Sequence, residues 1–220
     1  MTAPQAVLFD LDGTLTDTVA LIAEHIARVL DSPERPVTTQ AVYPFIGQPL
    51  AAAFEHLAGV KADEPRYEEL ADDYRAGARR AIEERGPSLV LPGVVETLDW
   101  LRERGTKVGV VTAKNNSQAR HLLDYTDLTP LIDIIVGTDD VARGKPAPDP
   151  ALLGAKRLGV APGECVYVGD AATDVQMALA ANMECWAVTT GASPAEELHT
   201  AGAAVVVDRL DHLIPRWSTT

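Results

Sequence analysis

The chain has 220 residues, a formal net charge of −13 at pH 7 and a hydrophobic fraction of 46%. This length suits one large α/β domain or a core of about 150 residues with a smaller insertion, and the composition is that of a globular protein, neither disordered nor rich in disulfides. Because the negative charge repels phosphate backbones and no run of Lys or Arg stands out, we predict no nucleic-acid partner and no membrane partner.

The two cysteines, Cys165 and Cys185, both lie in short apolar runs, where a buried free thiol is the expected state. The first residues lack the basic region of a secretion signal, and the apolar run Ala6–Phe9 is too short to span a membrane. These features predict a cytoplasmic protein. We expect it to be a monomer or a homodimer.

The first predicted element is a strand, and five more apolar runs of similar length follow it. The six runs are Ala6–Phe9, Val108–Val111, Ile132–Val136, Cys165–Val168, Cys185–Val188 and Ala204–Val207. Their length and β-branched content are typical of strands buried on both faces. Helical patterns lie between the later runs, one with Val94, Leu98 and Leu101 and one that ends at Gly159. Strands that alternate with helices predict an α/β fold with a doubly wound, Rossmann-like parallel sheet.

The alternation is interrupted once, in the interval between the first two strands, which shows helical periodicity and no strand pattern. Two helices are predicted there, the first from Val19, Ile22, Ile26 and Val29 and the second from Tyr67, Leu70, Tyr74, Ala78 and Ala81. Helices with one apolar stripe each must pack together. We therefore predict an inserted all-α cap domain at residues 16–91 and an α/β core domain formed by residues 1–15 and 92–220. Thr16, Asp17 and Thr18 are expected to provide the hinge and the N-cap of the first cap helix.

Polar side chains follow the predicted strands at the points where the strands end. They are Asp10 and Asp12 after the first strand, Thr112 after the second, Lys145 after the third, and Asp170 and Asp174 after the fourth. Ligands of an open parallel sheet bind beyond the carboxyl ends of its strands. These side chains are therefore expected to form one site.

Together these segments resemble the haloacid dehalogenase-like superfamily, and within it the phosphoglycolate-phosphatase-like group with an α-helical cap. Its four signature elements occur in order, as D-x-D-G-T-L at Asp10–Leu15, an apolar run ending in Thr112, Gly-Lys-Pro at Gly144–Pro146, and G-D-x-x-x-D at Gly169–Asp174. Each motif alone is weak, since Asp-Gly is a common turn, but four in order at strand ends are specific. The resemblance spans nearly the whole chain, from Ala6 to Val207.

The resemblance implies phosphoryl transfer, which needs an in-line nucleophile, charge neutralisation on the phosphoryl oxygens and a proton source for the leaving oxygen. Asp10 is the expected nucleophile and would form an aspartyl-phosphate intermediate. Asp12 is the expected acid and then base. Thr112 and Lys145 are expected to hold the phosphoryl group and neutralise its charge.

The implied cofactor is Mg²⁺, which prefers a few oxygen ligands from the protein and completes its shell with water. The expected ligands are the side chains of Asp10 and Asp170 and the backbone carbonyl of Asp12. Asp174, one helical turn beyond Asp170, is expected to orient the waters of the metal or Lys145. The five histidines show no ligand spacing, so we interpret them as structural or surface residues.

The expected substrate is a small phosphorylated metabolite, either phosphoglycolate-like or a sugar phosphate. A phosphoryl transferase similar to β-phosphoglucomutase uses the same pair of aspartates and remains an alternative, as does a pyrophosphatase. A non-catalytic binding module is disfavoured because the whole set of polar residues is intact. In the family, substrate specificity is set near Ile46–Leu50, a stretch without charge here, and four cap arginines could contact a carboxylate or second phosphate: Arg28, Arg35, Arg75 and Arg79.

Overall fold

The six predicted strands form one parallel sheet in the computed structural model, which describes residues 4–218. They are β1 (Ala6–Phe9), β2 (Lys107–Val111), β3 (Ile134–Val136), β4 (Cys165–Gly169), β5 (Glu184–Val188) and β6 (Val205–Val207). The order across the sheet is β3-β2-β1-β4-β5-β6, and every neighbouring pair is parallel. The predicted doubly wound α/β fold is confirmed, with strand ends within two residues of the predicted ones.

The central strand β1 is buried on both faces, as its uninterrupted apolar sequence predicts. Val7 and Phe9 point into one hydrophobic cluster, and Ala6 and Leu8 point into another on the opposite face. Successive side chains of a strand alternate between the faces of the sheet, so four residues contribute to both cores. This burial fixes the register of β1 and therefore the position of the residues that follow it.

In the described part of the chain, residues 16–91 form a helical interval that contains no β-strand. It contains α1 (Val19–Leu30), α2 (Thr39–Val42), α3 (Leu50–Ala58) and α4 (Pro65–Arg85). The predicted helices around Ile22 and Tyr74 are α1 and α4, whereas α2 and α3 were missing from the sequence prediction. Residues of all four helices share one hydrophobic cluster, in which Ile26, Phe54 and Tyr74 are buried.

The remaining helices cover the two faces of the sheet. They are α5 (Val94–Glu103), α6 (Asn116–Tyr125), α7 (Asp149–Leu158), α8 (Ala172–Ala180), α9 (Ala195–Ala201) and α10 (Ile214–Ser218). Helices α5, α6 and α10 pack in the cluster that contains Phe9, and α7, α8 and α9 pack in the cluster that contains Leu8. The helix α7 ends at Gly159 with φ of 67°, the left-handed C-cap that its glycine predicts.

The helical interval joins the sheet through two segments that run side by side. Thr16 and Val90 form an antiparallel bridge, the amide of Asp17 donates to the carbonyl of Leu89 at 2.7 Å, and the amide of Leu91 donates to the carbonyl of Leu15 at 3.1 Å. This crossing coincides with the predicted limits of the cap at residues 16 and 91. The division into two domains, with a hinge at residues 16–18, stays a prediction.

Two further predictions concern the thiols and the membrane. Cys165 and Cys185 are both free and buried, as their apolar sequence surroundings predict. Among residues 4–218, every helix is either too short or too polar to cross a bilayer.

Candidate active site

The sheet brings the polar residues after three neighbouring strands to one edge. Phe9, the last residue of β1, pairs with Val110 and Val168 of the flanking strands. The next residue, Asp10, is held in line because its amide donates to the carbonyl of Val168 at 2.8 Å. In the same way the amide of Thr112 donates to the carbonyl of Val136 at 3.0 Å. The residues after β1, β2 and β4 therefore converge as the parallel register predicts.

Three buried carboxylates form the centre of the site. Asp10, Asp170 and Asp174 are 3%, 1% and 1% exposed, and one carboxylate oxygen from each lies within 4.8 Å of the others. Asp174 lies in the first turn of α8, where its carboxylate accepts the amides of Asp170 at 3.2 Å and Ala171 at 3.1 Å. Tyr167 also donates its hydroxyl to Asp174 at 3.0 Å. These contacts fix the position of the Asp174 carboxylate at the end of β4.

Lys145 inserts its ammonium between two of these carboxylates. Its Nζ lies 2.7 Å from Oδ1 of Asp10 and 2.7 Å from Oδ1 of Asp174, and its side chain is 2% exposed. Burial alone would lower the pKa of Lys145, but the two neighbouring carboxylates raise it above its ordinary value. Lys145 therefore stays positively charged beside Asp10.

One ammonium does not balance the charge of three carboxylates. Burial raises the pKa of Asp10 to about 7 in spite of Lys145, and burial together with Asp10 and Asp174 holds the pKa of Asp170 well above its ordinary value. A further cation beside the cluster would favour the ionised forms of Asp10 and Asp170. All the donor atoms are oxygens, and the three carboxylates outnumber the one ammonium. Such a set fits a hard divalent cation such as Mg²⁺. Within the described chain, this is the cluster that could hold a metal, and it contains no histidine.

The glycine in the D-x-D-G motif is explained by the close approach of Asp170. Gly13 has φ of 81°, and a β-carbon at this position would lie 2.6 Å from Oδ2 of Asp170. The hydroxyl of Thr14 donates to Oδ1 of Asp170 at 2.7 Å, and the amide of Ala192 donates to Oδ2 at 2.8 Å. The first and fourth motifs thus pack directly against each other.

Asp12 turns away from the acidic cluster and is held by two other residues. Its Oδ1 accepts a hydrogen bond from the hydroxyl of Thr18 at 2.5 Å. The ammonium of Lys114 lies 2.9 Å from Oδ1 and 2.8 Å from Oδ2, with little of either side chain exposed. Burial disfavours the charge on Lys114, but Asp12 raises its pKa above the ordinary value. The two aspartates of the motif therefore have separate lysine partners, Lys145 for Asp10 and Lys114 for Asp12.

Lys114 and Thr18 have roles that the sequence did not predict. Thr18 does occupy the N-cap position of α1, but its side chain makes no capping hydrogen bond and donates to Asp12 instead. Lys114 comes two residues after Thr112, beyond the carboxyl end of β2, and its amide donates to the hydroxyl of Thr112 at 3.2 Å. The rule that selected Thr112 could also have selected Lys114, had it been extended two residues further.

A cavity of about 200 Å³ lies between the helical interval and the strand ends, and Asp10 and Asp12 line it. The predicted specificity stretch Ile46–Leu50 forms part of its wall. Of the four candidate arginines only Arg75 lines this cavity. The other three have partners elsewhere, with Arg28 on Asp73 at 3.3 Å, Arg35 on the carbonyl of His56 at 3.0 Å and Arg79 on Glu83 at 2.9 Å.

Similar proteins were found at the levels of family, sequence and structure. A model of the haloacid dehalogenase-like hydrolases matches residues 7–188. The probable phosphatase IndB of Dickeya dadantii is 34% identical over 209 residues, which cover 94% of this chain and 91% of that protein. The phosphoglycolate phosphatase of Pseudomonas putida is 31% identical over 217 residues, with 97% and 80% covered. A hydrolase from Pseudomonas syringae has a similar solved structure, with a TM-score of 0.86, 28% identity and 98% of each chain covered.

Proposed function

This chain belongs to the haloacid dehalogenase-like hydrolase family, in its phosphoglycolate-phosphatase-like group, and is a phosphatase; we propose that it hydrolyses a small phosphomonoester with the help of Mg²⁺ through a phosphorylated Asp10. The observation that carries the proposal is that the two aspartates of one cavity have separate lysine partners. Asp10 and Asp12 line the same cavity, and each has its own lysine within 3 Å. Such a pair can divide the roles of nucleophile and acid–base.

In the first half of the reaction, a carboxylate oxygen of Asp10 attacks phosphorus and the bond to the ester oxygen breaks. The bonding electrons leave with the alcohol oxygen, which takes a proton from the protonated form of Asp12. Lys145 and the hydroxyl of Thr112 neutralise and orient the phosphoryl oxygens during the transfer. Lys114 and Thr18 position the carboxyl group of Asp12.

In the second half, Asp12 accepts a proton from a water molecule, whose oxygen attacks the phosphorus of the aspartyl-phosphate. The bond between phosphorus and Asp10 breaks, and inorganic phosphate leaves. Asp10, Asp170 and the backbone carbonyl of Asp12 would hold Mg²⁺, which when bound neutralises charge on the phosphoryl group. Asp174 holds Lys145 and the backbone after β4, so its contribution is to position other residues.

The first test is release of p-nitrophenolate from p-nitrophenyl phosphate by the purified protein with Mg²⁺. Turnover supports the proposal, and its complete absence with correctly folded protein would favour the binding-module alternative. A panel with phosphoglycolate, hexose phosphates and pyrophosphate then separates the substrate classes. Conversion of β-glucose 1-phosphate to glucose 6-phosphate without release of phosphate would instead indicate a mutase. Cytoplasmic location and a monomeric or dimeric state stay predictions.

We expect the metal requirement to depend on Asp170. EDTA should abolish activity and Mg²⁺ restore it, whereas Ca²⁺ should inhibit because its shell is larger and looser. Asp170→Asn removes one charged ligand and should raise the Mg²⁺ concentration for half-maximal activity at least about 10-fold. The exposed Asp208 provides the matched control Asp208→Asn, which should leave this concentration unchanged. Full activity after exhaustive chelation would contradict the metal role.

Replacing Lys114 with Met is expected to lower kcat for an alkyl phosphate by roughly 10- to 100-fold, a fraction of the full contribution of a general acid. Methionine keeps the apolar stem of lysine and removes its charge, so Asp12 loses the ion pair that orients it. Lys156→Met, on the exposed side of α7, is the matched control. Phosphate release gives kcat, and thermal unfolding reports whether both variants fold. An unchanged kcat in Lys114→Met would show that Asp12 works without this ion pair.

A further inference from the structure

The wall of the active-site cavity that faces the two catalytic aspartates is mostly apolar. Side chains from α1, α3, α4 and the segment before α3 form it, among them Ile22, Ile26, Phe45, Leu50, Tyr67 and Tyr74. Ile26 and Tyr74 are 3% and 7% exposed and belong to the hydrophobic cluster of the helical interval, so the wall is fixed by packing. The alcohol part of a bound ester would lie against this wall, since its phosphoryl group must reach Asp10.

Both cationic side chains that line the cavity already have carboxylate partners. Arg75 Nη1 lies 2.8 Å from Asp72 Oδ1 and 3.3 Å from Glu68 Oε2, and Lys114 is paired with Asp12 at 2.8 Å. These are the Arg and Lys residues of the cavity lining. The charge of each cation is therefore already balanced by a carboxylate, and an anionic group on the alcohol would meet no net positive charge from Arg75 or Lys114.

One atom of each amide side chain in the lining is engaged in a hydrogen bond within the protein. Gln48 donates to the carbonyl of Pro44 at 2.9 Å. Asn115 accepts the amide of Gln118 at 2.9 Å, and the side chain of Gln118 accepts the amide of Asn115 at 3.3 Å, so the two cap the start of α6. A sugar ring would leave water for a wall in which Ile22, Ile26 and Phe45 offer no hydrogen bond, and each hydroxyl left without a partner there costs free energy.

We propose that the substrate is the phosphate monoester of a small, neutral, apolar alcohol, alkyl or aryl, in preference to a carboxylated or polyhydroxylated one. This inference rests on the function proposed above. The volume of about 200 Å³ agrees with a small alcohol, because pockets for drug-sized ligands measure roughly 300–1,000 Å³. The relatives named phosphoglycolate phosphatase would then differ from this chain in the substrate and not in the chemistry.

A matched pair of substrates tests the charge preference. Butyl phosphate and 4-phosphooxybutanoate have the same primary phosphate ester on similar chains, and only the second ends in a carboxylate. We expect kcat/KM to be at least about 30-fold higher for butyl phosphate, because the carboxylate loses its hydration against the apolar wall. Benzyl phosphate should exceed glucose 6-phosphate and phosphoglycolate by a similar factor.

A substitution in the wall should shift this preference in a predictable direction. Leu50 is half-buried at the start of α3, and Leu50→Arg would add a cation to the cavity. The ratio of kcat/KM for the two matched substrates should move at least about 10-fold toward 4-phosphooxybutanoate. Ala52→Arg adds the same charge to the same helix outside the lining and should leave the ratio unchanged.

The outcomes separate this inference from the proposed function. No turnover of p-nitrophenyl phosphate or any ester would overturn both. Turnover of p-nitrophenyl phosphate with 4-phosphooxybutanoate, phosphoglycolate or glucose 6-phosphate equal to or better than the apolar esters would overturn the apolar preference alone. An equal shift in Leu50→Arg and Ala52→Arg would also overturn it, because the charge would then act from outside the cavity.

Discussion

Asp10→Asn is expected to lower the turnover of p-nitrophenyl phosphate by at least about 10⁴-fold, because an amide cannot form the acyl-phosphate on which the proposed reaction depends. Asparagine has almost the same shape, and Lys145 keeps Asp174 as a partner at 2.7 Å, so the fold should persist. Asp208→Asn, at an exposed position, is the matched control and should keep full activity. Retention of more than a few per cent of wild-type activity by Asp10→Asn would show that another group is the nucleophile.

The stability of this variant provides its folding control. The pKa of Asp10 is raised from 3.8 to about 7, chiefly by burial, so the metal-free folded protein holds a proton that the unfolded chain has released. Stability therefore falls as pH rises between about 4 and 7, and asparagine removes this loss. In EDTA, Asp10→Asn should raise the midpoint of thermal unfolding more at pH 8 than at pH 5. A lower midpoint at both pH values would mean that the ion pair with Lys145 outweighs the cost of burial.

The strands were predictable because their sequences have one dominant constraint. The middle of a parallel strand that is covered on both faces must be apolar. The sequences of β1 and β4 meet this condition. The strand ends then locate the polar residues, because parallel strands all end at one edge. Asp10, Thr112 and Asp170 needed only this rule and the motif spacing to be selected.

The helix α3 was missed although its sequence carries a signal. Leu50, Ala53, Phe54 and Leu57 have helical spacing, and Gly59 ends the helix with φ of 70°. Three consecutive alanines dilute the apolar contrast on which the periodicity depends, so the pattern alone does not mark a helix. The high helix propensity of alanine is the signal that would have recovered it.

The partners of Asp12 were harder to predict than the residue itself. Spacing locates Asp12 beyond β1, but the direction of its side chain depends on Thr18 at the start of α1 and on Lys114 beyond β2. Lys114 and Asp12 are 102 residues apart in the sequence, so no local pattern connects them. The apolar character of the cavity was hard to predict for the same reason, because its wall combines segments that are distant in the sequence and share no pattern.

Asp12→Asn is expected to affect substrates according to their leaving groups. An alkoxide needs a proton as the bond to phosphorus breaks, so the rate for butyl phosphate should fall roughly 10²- to 10⁴-fold. A stable phenolate such as p-nitrophenolate needs little protonation, so the first turnover of p-nitrophenyl phosphate should fall much less. Rapid-quench measurement of both substrates gives the two rates. Asp208→Asn, at an exposed position outside the cavity lining, is the matched control and should leave both rates unchanged.

The same variant should stall after the first half of the reaction. The amide that replaces the Asp12 carboxylate cannot take a proton from water, so phosphate should accumulate on Asp10 when p-nitrophenyl phosphate is the substrate. Mass spectrometry of the quenched variant would detect the phosphoryl group on the peptide that contains Asp10. Equal slowing of both substrates without a phosphorylated peptide would show that Asp12 serves to hold its loop, and the proton donor would then have to come from elsewhere in the cavity wall.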